Sequence, residues 1–224
     1  STAVTLLSSC GGVTGSHASA ELVPLSVRQA AAQLDEVVPQ LLARTGVPGA
    51  AVSVVYGNQV VYSRGFGVRR VGDNAAVDAD TVFQLASVSK SVGATVMAGQ
   101  MPGSPVDGTI TWDTPIQQLL PWFELPYPDP RLNARLTLGA LYSHRSGLHE
   151  HAGDLLEDLG YDRSELLRRL RWAAMNPVGT YAYTNLGLTA AAQAMASALD
   201  TDWETLSERT LYQPLGMAHT SSRF

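Results

Sequence analysis

Apolar residues recur with two different periods in the first part of the chain. From Ser26 to Arg44, Ala30, Leu34, Val37, Val38, Leu41 and Leu42 fall on a helical repeat. Ser26 and Gln29 stand at capping-box spacing, and Gly46 with Pro48 closes the segment. Two strand-like runs follow, Ala50 to Tyr56 and Gln59 to Phe66. The dipeptide Gly57-Asn58 between them suits a tight hairpin turn. Residues 67 to 80 read as an irregular, polar connection. Val82-Phe83-Gln84-Leu85 then runs into Ser87, and small and apolar residues from Val88 to Met97 predict a buried helix that begins at the serine.

The pattern changes after Gly99. Pro102, Gly103, Pro105 and Gly108 mark a loop. Beyond it the spacing predicts helices over Thr114 to Leu120, Thr137 to Ser143, Arg163 to Met175, Leu186 to Leu199 and Asp202 to Tyr212. Thr201 and Glu204 have capping-box spacing before the last of these. No internal repeat or low-complexity linker is seen. The expected organisation is a terminal segment (1–25), the first part of an α/β domain (26–100), and a mostly helical region (101–224).

Composition narrows the class. Of the 224 residues, 45% are hydrophobic and 16% charged, which suits a globular core and excludes a disordered chain. A net charge of −5 gives no basic footprint for nucleic acid. No apolar run is long enough to span a bilayer. The single cysteine, Cys10, rules out an internal disulfide. Leu7-Ser8-Ser9-Cys10-Gly11-Gly12 is similar to a bacterial lipoprotein cleavage box, and Ala18-Ser19-Ala20 offers a second, small-residue cleavage site. A disordered, small-residue terminus is the third reading of the same stretch. Both cleavage readings place the mature protein in the periplasm or otherwise outside the cytoplasm. The first anchors it to a membrane through Cys10, with more than one acyl group needed for stable attachment.

Lys90 is the only lysine; every other fixed cation is arginine. Arginine stays charged and cannot act as a base, whereas a lysine amine can lose its proton in a suitable environment. This one amine lies three residues after Ser87, in Ala86-Ser87-Val88-Ser89-Lys90. On a helix that spacing puts both side chains on one face. A serine nucleophile with a lysine base requires such a pair. Ser-x-x-Lys is a loose pattern by itself, and the plain structural alternative is a capping serine with a surface lysine.

Tyr183-Thr184-Asn185 strengthens the catalytic reading. A tyrosine near an ammonium is pushed toward phenolate and is then able to pass a proton to a leaving group. Asn185 carries both a donor and an acceptor for an amide-bearing substrate. The structural alternative is a core tyrosine followed by an asparagine helix cap.

With these residues in view, the chain resembles the serine β-lactamase and penicillin-binding-protein superfamily, which shares Ser-x-x-Lys. Tyr-x-Asn points to its class C branch, including D-Ala-D-Ala carboxypeptidases of that type and β-lactamase-like esterases. Four further stretches carry the resemblance: Phe83 to Lys90, Thr111-Trp112-Asp113-Thr114-Pro115, Leu141 to Leu148, and Pro214-Leu215-Gly216-Met217. It extends from about residue 26 to the end. The fold it implies is α/β (α+β): an antiparallel sheet flanked by helices, plus a mostly helical region, of the β-lactamase/transpeptidase type. It further implies Ser87 as nucleophile, Lys90 as its proton-accepting partner, Tyr183 as general base or acid, and Asn185 as a contact to the substrate amide. Lys90 and Tyr183 would titrate as a coupled pair, so the first proton acceptor stays open.

The resemblance also implies a Lys/His-Thr/Ser-Gly element on a strand bordering the site. None follows Tyr183; His219-Thr220-Ser221 is the nearest approach, directly after Pro214 to Met217. The expectation is therefore that the C-terminal sheet strands are absent from this chain. It is either the N-terminal portion of a longer hydrolase or the partner of a second polypeptide that completes the sheet. In the family that strand supplies an oxyanion donor, and losing one such donor costs about a hundredfold or more in rate.

Other signals carry less. His149-Glu150-His151 lacks the further ligands a metal site needs and reads as loop decoration. No Gly-x-Ser-x-Gly elbow supports a Ser-His-Asp triad. Trp112, Trp122, Trp172 and Trp203 read as scattered anchors, and Arg168-Arg169-Arg171 as a solvated helix face. Two functional readings remain. One is a serine hydrolase that forms an acyl-enzyme at Ser87 with a β-lactam, D-amino-acid peptide or ester, with no metal or organic cofactor. The other is a non-catalytic binding module on the same scaffold.

Overall fold

The structure, a computed structural model, describes residues 23–78, 80–102 and 109–223. Cys10, the small-residue site at 18–20 and Gly103, Pro105 and Gly108 of the expected loop lie outside the described residues. The chain divides after Thr81 into two compact units.

The first unit holds helices α1 (Leu25–Ala32) and α2 (Leu34–Thr45) and strands β1 (Gly49–Tyr56) and β2 (Gln59–Gly67). The single helix expected from Ser26 to Arg44 is thus two helices separated at Gln33. The expected capping box is not realised: Pro24 stands at the N-cap, and no side chain caps α1. α2 ends as expected, with Gly46 in the left-handed conformation that glycine adopts without a Cβ penalty. The strands form a two-stranded antiparallel sheet. Gly57 and Asn58 both have positive φ, which the tight turn of a twisted hairpin demands. A register shift after Val54 leaves Val61 as the extra residue of a β-bulge. Asp35 on α2 accepts hydrogen bonds from Tyr62 (2.5 Å) and Arg64 (2.7 Å) on β2.

The second unit is helical and contains the larger core. Its elements are α3 (Ser89–Ala98), α4 (Ile116–Leu119), α5 (Leu138–Tyr142), α6 (Asp154–Asp158), α7 (Arg163–Arg169), α8 (Asn185–Ala198) and α9 (Trp203–Ser207). α8 is the hub: α3, α4, α5, α7 and α9 all pack on it. Its sequence is apolar almost all round, as a helix buried on most sides requires. Ala190, Ala191 and Ala194 are fully buried, and their small side chains let neighbouring helices approach closely. Leu138 and Leu141 of α5 and Val96 and Met97 of α3 complete the contact. Thr137, Asp162 and Asp202 cap α5, α7 and α9 by accepting from backbone N–H groups.

Several boundaries differ from expectation. α4 is a single turn inside the segment predicted from Thr114 to Leu120. The helix predicted to reach Met175 stops at Arg169 and continues only as a 3₁₀ turn, Leu170–Trp172, because Met175 pairs with Leu148 in a β-bridge. Asp202, not Thr201, caps α9, and a π turn follows at Glu208–Tyr212. α6 and a 3₁₀ segment at Pro130–Arg135 were not expected. Among the described residues no helix is long and apolar enough to cross a membrane.

Candidate active site

Ser87 lies in a 3₁₀ turn, Ala86–Val88, that leads directly into α3. The serine is exposed, and Lys90 is half-buried one turn further on. Ala86 holds φ at +46°, a costly conformation for a residue with a Cβ. Tyr183 sits just before α8; Thr184 takes the N-cap position, and Asn185 is the first helical residue. The asparagine is therefore not the cap, and its side chain is turned toward α3.

The packing of α3 on α8 gathers all four residues. The Ser87 and Tyr183 hydroxyls are 2.6 Å apart. Lys90 Nζ donates to Ser87 Oγ (3.1 Å) and to Asn185 Oδ1 (2.7 Å). The same nitrogen lies 4.6 Å from the centre of the Tyr183 ring. Asn185 Nδ2 donates to Asp154 Oδ2 at 2.8 Å. His151 Nδ1 lies 2.8 Å from that same oxygen. A carboxylate only accepts, so this nitrogen carries the proton.

The Tyr183 phenol is held below its ordinary pKa. The Lys90 ammonium beside it is the largest cause, and the hydrogen bond with Ser87 is next. The Asp154 charge opposes both. His144 stacks against the Tyr183 ring with centroids 4.7 Å apart. Burial, then the Lys90 charge, lowers the His144 pKa, so the ring favours its neutral form. Its Nδ1 accepts from the Thr184 N–H at 3.1 Å, which leaves the proton on Nε2. Backbone bonds complete the frame: Ala182 N–H donates to His144 O, and His151 N–H to Tyr183 O, both at 2.9 Å.

Asp154, His144 and His151 were missed by sequence reasoning as parts of the site. His144 lies within Leu141 to Leu148, one of the stretches that carry the family resemblance, and that was its only signal. His151 reads as loop decoration in the sequence; it is exposed, as His149 and Glu150 are, yet its ring meets Tyr183 and Asp154. Nothing in the sequence singled out Asp154. His219 is exposed and takes no part in this network. No group of histidine, cysteine and carboxylate side chains among the described residues is arranged to hold a metal.

Known proteins resemble this chain over most of its length. The unguisins hydrolase ungD of Aspergillus violaceofuscus is 27% identical over 183 residues, covering 79% of this chain and 32% of the relative. The D-alanyl-D-alanine-carboxypeptidase/endopeptidase AmpH of Escherichia coli is 28% identical over 199 residues, covering 84% of this chain and 49% of the relative. The chain thus spans half or less of the length of these curated relatives. A solved class C beta-lactamase superposes with a TM-score of 0.69 at 22% identity, covering 89% of this chain and 52% of that structure. The fold is accordingly that of the β-lactamases and penicillin-binding proteins. The Beta-lactamase family profile matches residues 34–223, and the chain belongs to that family.

Proposed function

We propose that the chain carries the acylating machinery of a serine hydrolase, which forms an acyl-enzyme at Ser87 with a β-lactam, D-amino-acid amide or ester carbonyl. One observation supports this most: the Ser87 hydroxyl is bracketed by the Tyr183 hydroxyl at 2.6 Å and the Lys90 ammonium at 3.1 Å. Lys90 points donors at both Ser87 and Asn185, so Tyr183 is the better placed acceptor for the serine proton. In the proposed step Tyr183 starts as the phenolate that Lys90 favours; Ser87 Oγ bonds to the carbonyl carbon, its proton passes to the Tyr183 phenolate oxygen, and the carbonyl π pair moves to the carbonyl oxygen. Collapse of that adduct breaks the bond to the leaving nitrogen or oxygen, which takes the proton from Tyr183. Water then releases the acyl group by the same route. The names of the relatives, a carboxypeptidase/endopeptidase and a hydrolase among them, favour an acyl carbonyl as the reacting group.

The reading includes a second part. A further segment or chain completes the sheet beside β1 and β2 and supplies the third motif. The share of the relatives' length that this chain spans favours it. So does the marginal stability expected of an isolated two-stranded sheet. An export route and attachment through Cys10 belong to the same proposal.

Incubation with nitrocefin, p-nitrophenyl butyrate and a fluorescent penicillin, followed by intact mass spectrometry, tests the acylation. An adduct that disappears in Ser87→Ala is expected. A folded sample that no acylating agent modifies would favour the non-catalytic binding module instead.

A further inference from the structure

The Asn185 side chain stands between two groups of opposite charge. Its Oδ1 accepts from Lys90 Nζ at 2.7 Å, and its Nδ2 donates to Asp154 Oδ2 at 2.8 Å. A primary amide offers two faces of similar shape, one accepting and one donating. A lysine ammonium has no acceptor and a carboxylate no donor, so the pair admits only one orientation of the amide. Rotation by half a turn would set N–H against N–H at Lys90 and oxygen against oxygen at Asp154.

Asp154 is itself held. His151 donates to the same Oδ2 from its Nδ1, and the His151 N–H donates to Tyr183 O. Asp154 is the first residue of α6, and its N–H donates to His151 O at 3.1 Å. The other oxygen, Oδ1, is buried and meets no partner among the described residues, so Oδ2 carries the whole contact.

We propose that Asp154 is a positioning residue for the candidate active site: it fixes the flip of the Asn185 amide, and thereby the seat of the Lys90 ammonium beside Ser87, with His151 locking the carboxylate in place. This rests on the acyl-enzyme reading only for its kinetic consequence; the geometric claim stands separately. A displacement of about 1 Å in a reacting group costs on the order of a hundredfold in rate, so a released lysine would be felt at Ser87.

The sole lysine makes the test direct. Lysine labelled with ¹⁵N at Nζ gives one side-chain signal, that of Lys90, in a chain with no other lysine. The variants are Asp154→Ala, Asp154→Ser as a polar exchange suited to a helix start, and Asp154→Asn. The asparagine variant keeps an acceptor oxygen for Nδ2 and should rescue. Expected results are a shifted, broadened Lys90 signal in the alanine and serine variants, with Ser87 acylation by a fluorescent penicillin slowed about tenfold to a hundredfold. The acylation rate constant should fall while initial reagent binding changes little. Asp154→Asn should return the signal, and the rate to within about threefold of the parent, as a contact that needs an acceptor and not a charge predicts. An unmoved Lys90 signal in whichever of the alanine or serine variants folds would overturn the proposal, as would an asparagine variant that behaves like alanine. If the parent chain is not acylated at all, the hydrolase reading fails, and the lysine signal still decides this one.

Discussion

Tyr183→Phe removes one oxygen from the site and almost nothing else. The ring contacts His144 and His151, with centroids 4.7 and 5.5 Å away, and Lys90 Nζ lies 4.6 Å from its centre. Phenylalanine keeps all of these contacts. What it loses is the hydroxyl 2.6 Å from Ser87. A hydrogen bond contributes about 0.5–1.5 kcal/mol to folding, and a pair with an exposed serine lies toward the low end. Acylation should suffer far more. A positioned group that accepts and returns a proton is worth about 10²–10⁴ in rate, or roughly 2.7–5.4 kcal/mol of barrier. The signature is therefore a large kinetic loss with a small thermal shift.

Two measurements read it: the rate of Ser87 adduct formation with fluorescent penicillin or p-nitrophenyl butyrate, and the melting temperature of the same samples. Tyr181→Phe is the control. Its ring meets His144 edge-on at 5.7 Å and is 60% exposed, and its hydroxyl is no part of the Ser87 network, so its rate should stay near the parent's. A Tyr183→Phe protein that acylates within about threefold of the parent would refute the proton-transfer role, because that loss is far below the range for a general base.

The remaining predictions concern charge, a buried clamp and strain. Removing the Lys90 ammonium takes away the largest cause of the lowered Tyr183 pKa, so Lys90→Ala should move that phenol upward. At a fixed pH less phenolate is then present; the tyrosinate absorbance assigned by difference against Tyr183→Phe should rise at higher pH in the variant, and an unchanged or lower midpoint would contradict the electrostatic account. Asn133 is buried and clamps Leu125 twice, its Nδ2 donating to Leu125 O (2.9 Å) and its Oδ1 accepting from Leu125 N (2.7 Å). Asn133→Ala should cost about 1–3 kcal/mol in a denaturant melt, since the buried Leu125 N–H loses its partner while Leu125 O keeps the bond from Tyr127 N–H (2.8 Å), and a loss under about 0.5 kcal/mol would show that the N–H finds another. Ala86→Gly relieves a left-handed conformation that costs an alanine about 1–2 kcal/mol, against roughly 0.5–1 kcal/mol of added chain entropy in the unfolded state. Equal or higher stability with slower acylation is expected; faster acylation would show that the strained turn does not hold Ser87 in place.

What the sequence made legible was local. The hairpin announced itself because Gly57-Asn58 supplies two positive φ angles at the one place where a two-residue turn needs them. α8 was legible because its apolar residues run all round. Ser87 and Lys90 could be paired because three residues on a helix is a fixed geometry. The failures were set by contacts distant in sequence. Nothing near Trp172 signals the end of that helix; the chain leaves it because Met175 meets Leu148 and Asn176 N–H donates to Gly147 O at 2.6 Å. Asp154 reaches the site through an amide 31 residues away, and no periodicity predicts such a contact. The resemblance implies roles for Tyr183 and Asn185, but the chain at Tyr183 is bonded to His144 and His151, and the Asn185 amide to Lys90 and Asp154, all distant in sequence.

Those two histidines show how the backbone is committed to the site. Among the described residues, the non-glycine positions with positive φ are Asn58, Ala86, His144, His151 and Asp200. Asn58 lies in the hairpin turn and Asp200 just beyond α8, where such angles are ordinary. The other three flank Ser87 or the Tyr183 ring. Each costs about 1–3 kcal/mol and persists only where its surroundings over-determine it. At His144 the surroundings are two bonds from the tyrosine segment, Ala182 N–H to its carbonyl and Thr184 N–H to its ring. At His151 they are its own N–H on Tyr183 O and its ring on Asp154. The strained residues are thus the same ones that fix the chain from Ala182 to Thr184, and relaxing either would release the phenol. A turn that merely closed a loop would gain nothing from a histidine in that conformation, because glycine adopts it at less cost. The imidazoles supply what glycine lacks: a ring in contact with Tyr183 and a nitrogen bonded to the frame that holds it.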